Sequence, residues 1–272
     1  MLFALFLWRK AIVMQTIFES NQPSSASLAL VNSSIQEVTP EEGPLLDWHR
    51  KYGANHAVRL ALDLDILKRT VDVSGKILEI GSAPLIFTQA ATRTGYDIVG
   101  CDIAPERYAN AIERNALKVI KCNVEQDALP FINNFFDAVM LNEIFEHLRI
   151  NPVFTLKEVF RVLKPSGTLM LSSPNLRSLQ GLINFLLHNR AFSCSANPFL
   201  EFNKLATFSH MRHVHKYTST EARKFLSDIG FSVTEFIYRG KFRDKRKELL
   251  ANCFPKLRPF ISYAAIKPGC LS

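Results

Sequence analysis

Between Lys76 and Ile266 the chain repeats one pattern, a short apolar run followed by a stretch of helix formers with apolar residues three and four apart. Lys76–Ile80, Asp97–Cys101, Leu117–Lys121, Phe136–Leu141 and Thr168–Ser172 read as five strands, with Phe231–Tyr238 and Phe260–Ile266 as two late ones. Helices are predicted over Ala54–Arg69, Pro84–Arg93 and Pro105–Asn115. Asn151-Pro152 opens another, with an N-cap residue before a first-turn proline, and Val153, Leu156, Val159, Phe160 and Leu163 form its stripe. Thr218 and Glu221 make a capping box ahead of Ala222, Phe225, Leu226 and Ile229, and Gly230 stands where a left-handed cap ends the helix. Strands alternating with helices predict a single α/β domain, a mostly parallel sheet covered on both faces.

A chain of 272 residues can bury roughly 70–75% of its unfolded surface without a disulfide or metal. With 47% apolar and 21% charged residues, disordered, collagen-like and small disulfide-scaffold classes are excluded. The five cysteines are scattered, with no CxxC pair, which favours buried thiols in a reducing compartment and a cytoplasmic location. The formal charge is +8, but Arg239–Arg258 carries eight basic residues against two acidic ones. The remaining body is near neutral, unlike a nucleic-acid binder with lysine and arginine spread over a face.

The amino terminus alternates apolar Met1–Trp8, then Arg9 and Lys10, then apolar Ala11–Phe18. The first run is far shorter than a spanning helix needs, and its charge lies after the apolar run rather than before it, unlike a secretory signal. A weak interfacial anchor and an over-extended start with Met14 as the true beginning both fit; the pattern favours the second. Glu19–Pro44 is rich in Ser, Asn, Gln, Pro and Glu and reads as a flexible leader, so residues 1–44 are set apart from a domain over 45–272.

In a doubly wound sheet, ligands bind outside the carboxyl ends of the strands. Those ends carry Glu79-Ile-Gly81-Ser82-Ala83-Pro-Leu85, then Asp102-Ile103, then Asn123-Val124-Glu125, then Asn142-Glu143 with Glu146-His147 close behind. A carboxylate such as Asp102, about 20 residues past a glycine turn, suits a ribose diol, and Asn123 suits an adenine edge. A dinucleotide would need the glycine triplet that frees helix amides for a pyrophosphate. Here the turn offers one glycine, Gly81, then Ala83, and the acid before it, Glu79, repels phosphate while suiting an ammonium or sulfonium.

Ile77-Leu-Glu79-Ile-Gly81 with Gly100-Cys-Asp102-Ile103-Ala-Pro-Glu106 resembles the first two motifs of class I S-adenosylmethionine-dependent methyltransferases. Ala128–Phe131, Phe136–Val139 and Glu146-His147-Leu148 are similar to that family's central signature, and Arg161–Thr168 with Ser173-Pro174-Asn175 to the segment around its fifth strand. His213–Thr218 and Gly230-Phe231 resemble the approach to its last helix and sixth strand. The resemblance covers about 75–268 and implies a Rossmann-like, seven-stranded sheet with an antiparallel last strand. It implies S-adenosylmethionine as cofactor, with Glu79, Gly81, Ser82 and Ala83 at its methionine part, Asp102 at the ribose, Ile103, Asn123 and Val124 around the adenine, and Asn142 near the methionine end. Ala83 and Leu85 stand where that family has its second and third glycines, and the bulkier Leu85 puts the turn or its affinity in question.

Methyl transfer is an in-line displacement that needs positioning above all, and a base only for an acceptor protonated at neutral pH. His147 is the candidate base, with capping or backbone hydrogen bonding as the plainer role. His213, His215 and Tyr217 are candidate acceptor contacts. His210, His213 and His215 lack a Cys or acidic companion, so no metal is expected. The phenylalanine-rich segment 176–211 reads as a lid insertion. The basic run reads as a helix joining the last two strands, with Leu249, Leu250 and Phe254 as its buried stripe. Contact of that run with anionic lipid, a phosphorylated acceptor or RNA stays open. The favoured acceptor is a small molecule or glycan, with no stable nucleic acid bound; a nucleic-acid methyltransferase and a non-catalytic partner-binding protein remain as alternatives.

Overall fold

The computed structural model describes residues 22–190 and 215–269. Seven strands form one sheet in the order β3-β2-β1-β4-β5-β7-β6. They are β1 (Lys76–Ile80), β2 (Asp97–Asp102), β3 (Val119–Lys121), β4 (Phe136–Asn142), β5 (Leu163–Pro174), β6 (Ser232–Arg239) and β7 (Phe260–Ile266). β1 pairs in parallel with β2 and β4, as does β2 with β3 and β4 with β5. The last strand, β7, lies between β5 and β6 and is antiparallel to both. The doubly wound sheet with one reversed strand, expected from the sequence, is what the chain forms.

Side-chain alternation along the central strands divides the interior in two. Ile77, Ala138, Met140 and Met170 point to one face, while Leu78, Ile80, Val139, Leu141 and Leu169 point to the other. Both faces are covered, which is why these strands are apolar on both sides. The first face packs under α1 (Ser25–Glu37), α2 (Pro44–Thr70), α3 (Ile86–Arg93) and α4 (Ala109–Arg114). The second packs under α5 (Pro152–Val162) and α7 (Ser219–Ile229), with α6 (Leu179–His188) and α8 (Lys245–Cys253) on the carboxyl side of β5 and β6. The α5 cap is Asn151, whose Oδ1 accepts from Phe154 N. The box at Thr218 and Glu221 forms, and Gly230 takes a φ of 117° at the end of α7.

Element bounds differ modestly from expectation. The helix predicted over Pro105–Asn115 is a 3-10 turn, Pro105–Tyr108, followed by α4, and β5 extends in both directions beyond Thr168–Ser172. The leader expected over residues 1–44 is corrected where it is described. Ser25–Glu37 is a helix, capped by Ser24, and α2 starts at Pro44 rather than Ala54. Its serines and glutamine dilute the composition, but Val31, Ile35 and Val38 fall on one buried stripe. Ser24 and Ser27 donate to Asp65 on α2, and Arg93 on α3 pairs with Glu37 at 2.6 Å. Gly53 admits the contact, since a Cβ there would stand 2.8 Å from Ile35 Cγ2.

The choice between Met1 and Met14, and residues 191–211 of the expected lid, lie outside the described residues. Among the described residues no helix is long and apolar enough to cross a membrane. Cys101 and Cys122 are buried free thiols, whereas Cys253 is exposed. Because α1 belongs to the first core, Ile35→Ala is expected to lower unfolding free energy by about 2–4 kcal/mol, read by urea denaturation. A flexible leader would leave the midpoint unchanged.

Candidate functional site

The strand order reverses between β1 and β4, so their carboxyl ends open the crevice where such sheets bind ligands. Glu79 stands one residue before the end of β1 and is buried. Thr88, on α3, donates its hydroxyl to Glu79 Oε2. Burial pushes the Glu79 carboxyl up to about 8; the Thr88 hydrogen bond and Arg59 oppose this, and Asp102 and Asp63 reinforce it.

The turn after β1 is anchored to β2, because Gly81 N and Ser82 N both donate to Cys101 O, at 2.8 and 3.1 Å. Gly81 has a φ of 73°, and a Cβ there would meet Ile144 Cδ1 at 2.0 Å. Any larger residue would therefore strain the backbone and drive Ile144 away. Asp102, at the end of β2, organises two loops at once: Oδ2 accepts from Ala83 N at 3.0 Å and Oδ1 from Ala104 N at 2.9 Å. Arg107 Nη2 approaches Oδ1 at 3.4 Å.

Leu85 adopts the left-handed conformation, φ 67° and ψ 3°, that a glycine reaches freely. A leucine there costs about 1–2 kcal/mol of backbone strain. Its side chain is 1% exposed and packs into the core beside Ile77 and Phe87. The bulk that departs from the family's glycine thus points away from the crevice, and its burial offsets the strain.

The sequence reading missed the charged cluster that α2 contributes. Arg59 Nη2 donates to Tyr52 Oη at 2.8 Å, and Nη1 lies 4.0 Å from Glu143 Oε1. Arg59 Nε and Nη1 are buried and make no hydrogen bond. One turn on, Asp63 accepts from Asn142 Nδ2 at 3.2 Å and pairs with Arg239 Nη2 at 2.7 Å. Glu143, with a φ of 57°, accepts from Ser172 Oγ. Burial opposes charge on Arg59, but Tyr52, Glu143 and Asp63 hold its guanidinium above the ordinary range. The available signal was a line of polar residues, Tyr52, His56, Arg59 and Asp63, three or four apart on one face of the helix.

Other expected site residues divide. Asn142 lies in the cluster. Ile103 is exposed just past β2, and Val124 is half-buried against the second core. Asn123 uses its amide locally: Oδ1 accepts from Glu125 N, and Nδ2 donates to Gln126 Oε1. Both contacts lie within the turn that follows β3. Ser82 is buried with its hydroxyl making no hydrogen bond. His147 is half-buried in a 3-10 turn, Phe145–His147, beside buried Glu146. Burial, then Glu143, hold the Glu146 carboxyl well above the usual carboxylate range, and burial brings the Lys216 ammonium down to about 8. His215 N donates to Glu146 O, and the Tyr217 ring stacks on Phe145 at 4.2 Å between centroids. His210 and His213 lie outside the described residues. Among those described, no three His, Cys, Asp or Glu side chains are placed to hold a metal ion.

A methyltransferase-domain family matches residues 78–171. A ubiquinone biosynthesis O-methyltransferase of Xanthomonas oryzae pv. oryzae is 27% identical over 117 residues, which are 41% of this chain and 48% of that protein. Its namesake from Cereibacter sphaeroides is 28% identical over 37% of this chain and 41% of its own. The chain thus spans about half the length of the curated relatives it matches, or less. Among solved structures, a SAM-dependent methyltransferase from Archaeoglobus fulgidus superposes with a TM-score of 0.58 at 17% identity, covering 83% of this chain and all of that one. One from Methanosarcina mazei gives 0.54 at 18% identity, covering 75% and 97%.

The fold is that of the Rossmann-like methyltransferases. Residues 78–171, from β1 to β5, carry the match to a methyltransferase domain, and S-adenosylmethionine is the cofactor expected of such a domain.

Two outcomes follow from the buried charges. Glu79 is neutral in the folded state up to about pH 8 and ionises near pH 4.5 when unfolded, so folding takes up a proton between those values. Stability falls as pH rises through that window. Glu79→Gln, neutral throughout, should gain on the native protein between about pH 5 and 8, read by urea unfolding across a pH series; a constant difference would contradict a buried neutral carboxyl. Arg239→Ala should cost about 3–5 kcal/mol by stranding Asp63, whereas Lys245→Ala, on the surface, should stay within about 0.5.

Proposed function

We propose that this protein transfers the methyl group of S-adenosylmethionine to a small-molecule acceptor, and that Glu79, Asp102 and Arg59 hold the cofactor at the carboxyl ends of β1 and β2. The observation that carries this reading is the buried Arg59 guanidinium, with two donors making no hydrogen bond, close enough to Glu79 to oppose its raised pKa. A buried donor left without a partner is costly, and the cofactor's α-carboxylate is a matching acceptor. The cofactor's ammonium, arriving beside Glu79, favours the ionised carboxylate, so Glu79 gives up its proton as the cation binds, and Asp102 retains acceptor capacity for ribose hydroxyls beyond its three present contacts. Gly81, Ser82, Ala83 and Asn142 line the methionine end, and Ile103 and Val124 flank the adenine.

When bound, the cofactor supplies a sulfonium-activated methyl group. The chain's part is to fix the acceptor in line with it and to exclude water, which supports most of the acceleration in a displacement of this kind. His147, at the turn after β4, takes the proton of an acceptor hydroxyl, and His215 and Tyr217 border the acceptor. The acceptor class, a hydroxyl-bearing small molecule, draws support from curated relatives named ubiquinone biosynthesis O-methyltransferase.

Calorimetric titration with S-adenosylmethionine and S-adenosylhomocysteine tests the cofactor site. Binding should weaken about 10- to 100-fold in Asp102→Ala and in Arg59→Ala, the loss expected for a charged hydrogen bond. Neither heat nor a thermal shift with either ligand would refute the reading. For the base, His147→Ala should lower kcat at neutral pH and leave cofactor affinity unchanged.

A further inference from the structure

The basic run divides once it is folded. Arg239 and Arg258 are internal: the first pairs with Asp63, and the second donates to Gly240 O and Asn252 Oδ1 and pairs with Glu248. Lys241, Arg243, Lys245, Arg246 and Lys256 are exposed. The stripe expected to bury α8 does the reverse. Leu249 is 67% exposed, Phe254 59% and Leu250 39%, and only Ala251 of that helix is buried.

The neighbouring α6 shows the same inversion. Phe185, Leu186 and Leu187 are 66–74% exposed, although the helix has no charged residue apart from its terminal histidine. The two helices belong to one surface. Lys247 Nζ donates to Gln180 Oε1 at 3.3 Å, and Asn175 Nδ2 donates to Lys256 O and Arg258 O at 2.9 and 2.8 Å. Both follow the carboxyl ends of sheet strands, the side on which the crevice opens.

We infer that this surface of α6 and α8 binds an anionic lipid membrane, with Phe185, Leu186, Leu187, Leu249 and Phe254 entering the headgroup–acyl boundary and the surrounding lysines and arginines contacting phosphate. Exposed aromatic and leucine side chains on helices beside basic residues are the pattern of interfacial helices. Attraction of the basic residues to an anionic leaflet adds to the apolar term. RNA would use the cations but leave the leucines in water, so lipid satisfies both halves of the surface. The inference goes beyond methyl transfer and places the mouth of the crevice at a bilayer, where an apolar acceptor would be held.

Flotation of the full chain with vesicles tests it without any methyl transfer, so its outcome is separate from that of the cofactor titrations. The protein should float with phosphatidylcholine–phosphatidylglycerol vesicles, float poorly with phosphatidylcholine alone, and be released by salt. Leu249→Ser with Phe254→Ser should reduce partitioning about tenfold or more, and Lys245→Glu with Arg246→Glu should do likewise. Circular dichroism of these exposed-site variants should be unchanged. Three results overturn the inference: no flotation with anionic vesicles; flotation unaffected by either variant; or a concentration-dependent dimer in ultracentrifugation that the leucine–phenylalanine variant abolishes while vesicles are not bound. RNA binding without vesicle binding overturns it as well.

Discussion

The simultaneous pairing of β1 with β2 on one side and β4 on the other is the constraint on which the molecule depends. It makes β1 the innermost strand of the doubly wound half, covers both of its faces, and reverses the strand order beside it. Each loop of the candidate site leaves a strand next to that reversal. Glu79, Gly81 and Asp102 therefore converge although 23 residues separate the first from the last. The backbone does much of the positioning itself: Cys101 O holds two amides of the first turn, and Asp102 bridges that turn to its own loop.

Around this frame the protein keeps ionisable groups where water is scarce. Glu79 and Glu146 are held protonated chiefly by burial, while Arg59 stays charged against it. Asp63 lies at the centre, within reach of Arg239 from β6 and Asn142 from β4. Such an arrangement is poor value for stability, because desolvation offsets the attraction. On the proposed reading it offers the open donors of Arg59 to a ligand carboxylate. This places the cost of the cluster on the side of binding rather than of folding.

How much was legible in advance depended on the range of the interactions. Strands such as Lys76–Ile80 and Phe260–Ile266, the caps at Asn151 and Thr218, and the left-handed Gly230 were all readable, because neighbouring residues alone dictate them. Asp102 and Glu79 were legible through their place at strand ends. Arg59 was not: its helix was expected over Ala54–Arg69, but the carboxylates it faces, Glu143 and Glu79, come from strand ends far along the chain. The three-residue stripe of Val31, Ile35 and Val38 was hidden by the polar residues between them, of which Ser34 is itself buried.

The sequence by itself determined the alternation of strands and helices, the acidic ends of the first two strands, and the loss of two glycines from the turn between β1 and α3, because these are properties of residues a few positions apart. Only the tertiary structure decided that Leu85 turns its bulk into the core, that Asn123 spends its amide on its own turn, and that Arg239 and Arg258 leave the surface while Leu249 and Phe254 remain on it. Each of those outcomes was a competition for the interior. Helical spacing says which residues share a face, but what stands opposite that face is set by elements far away in the chain.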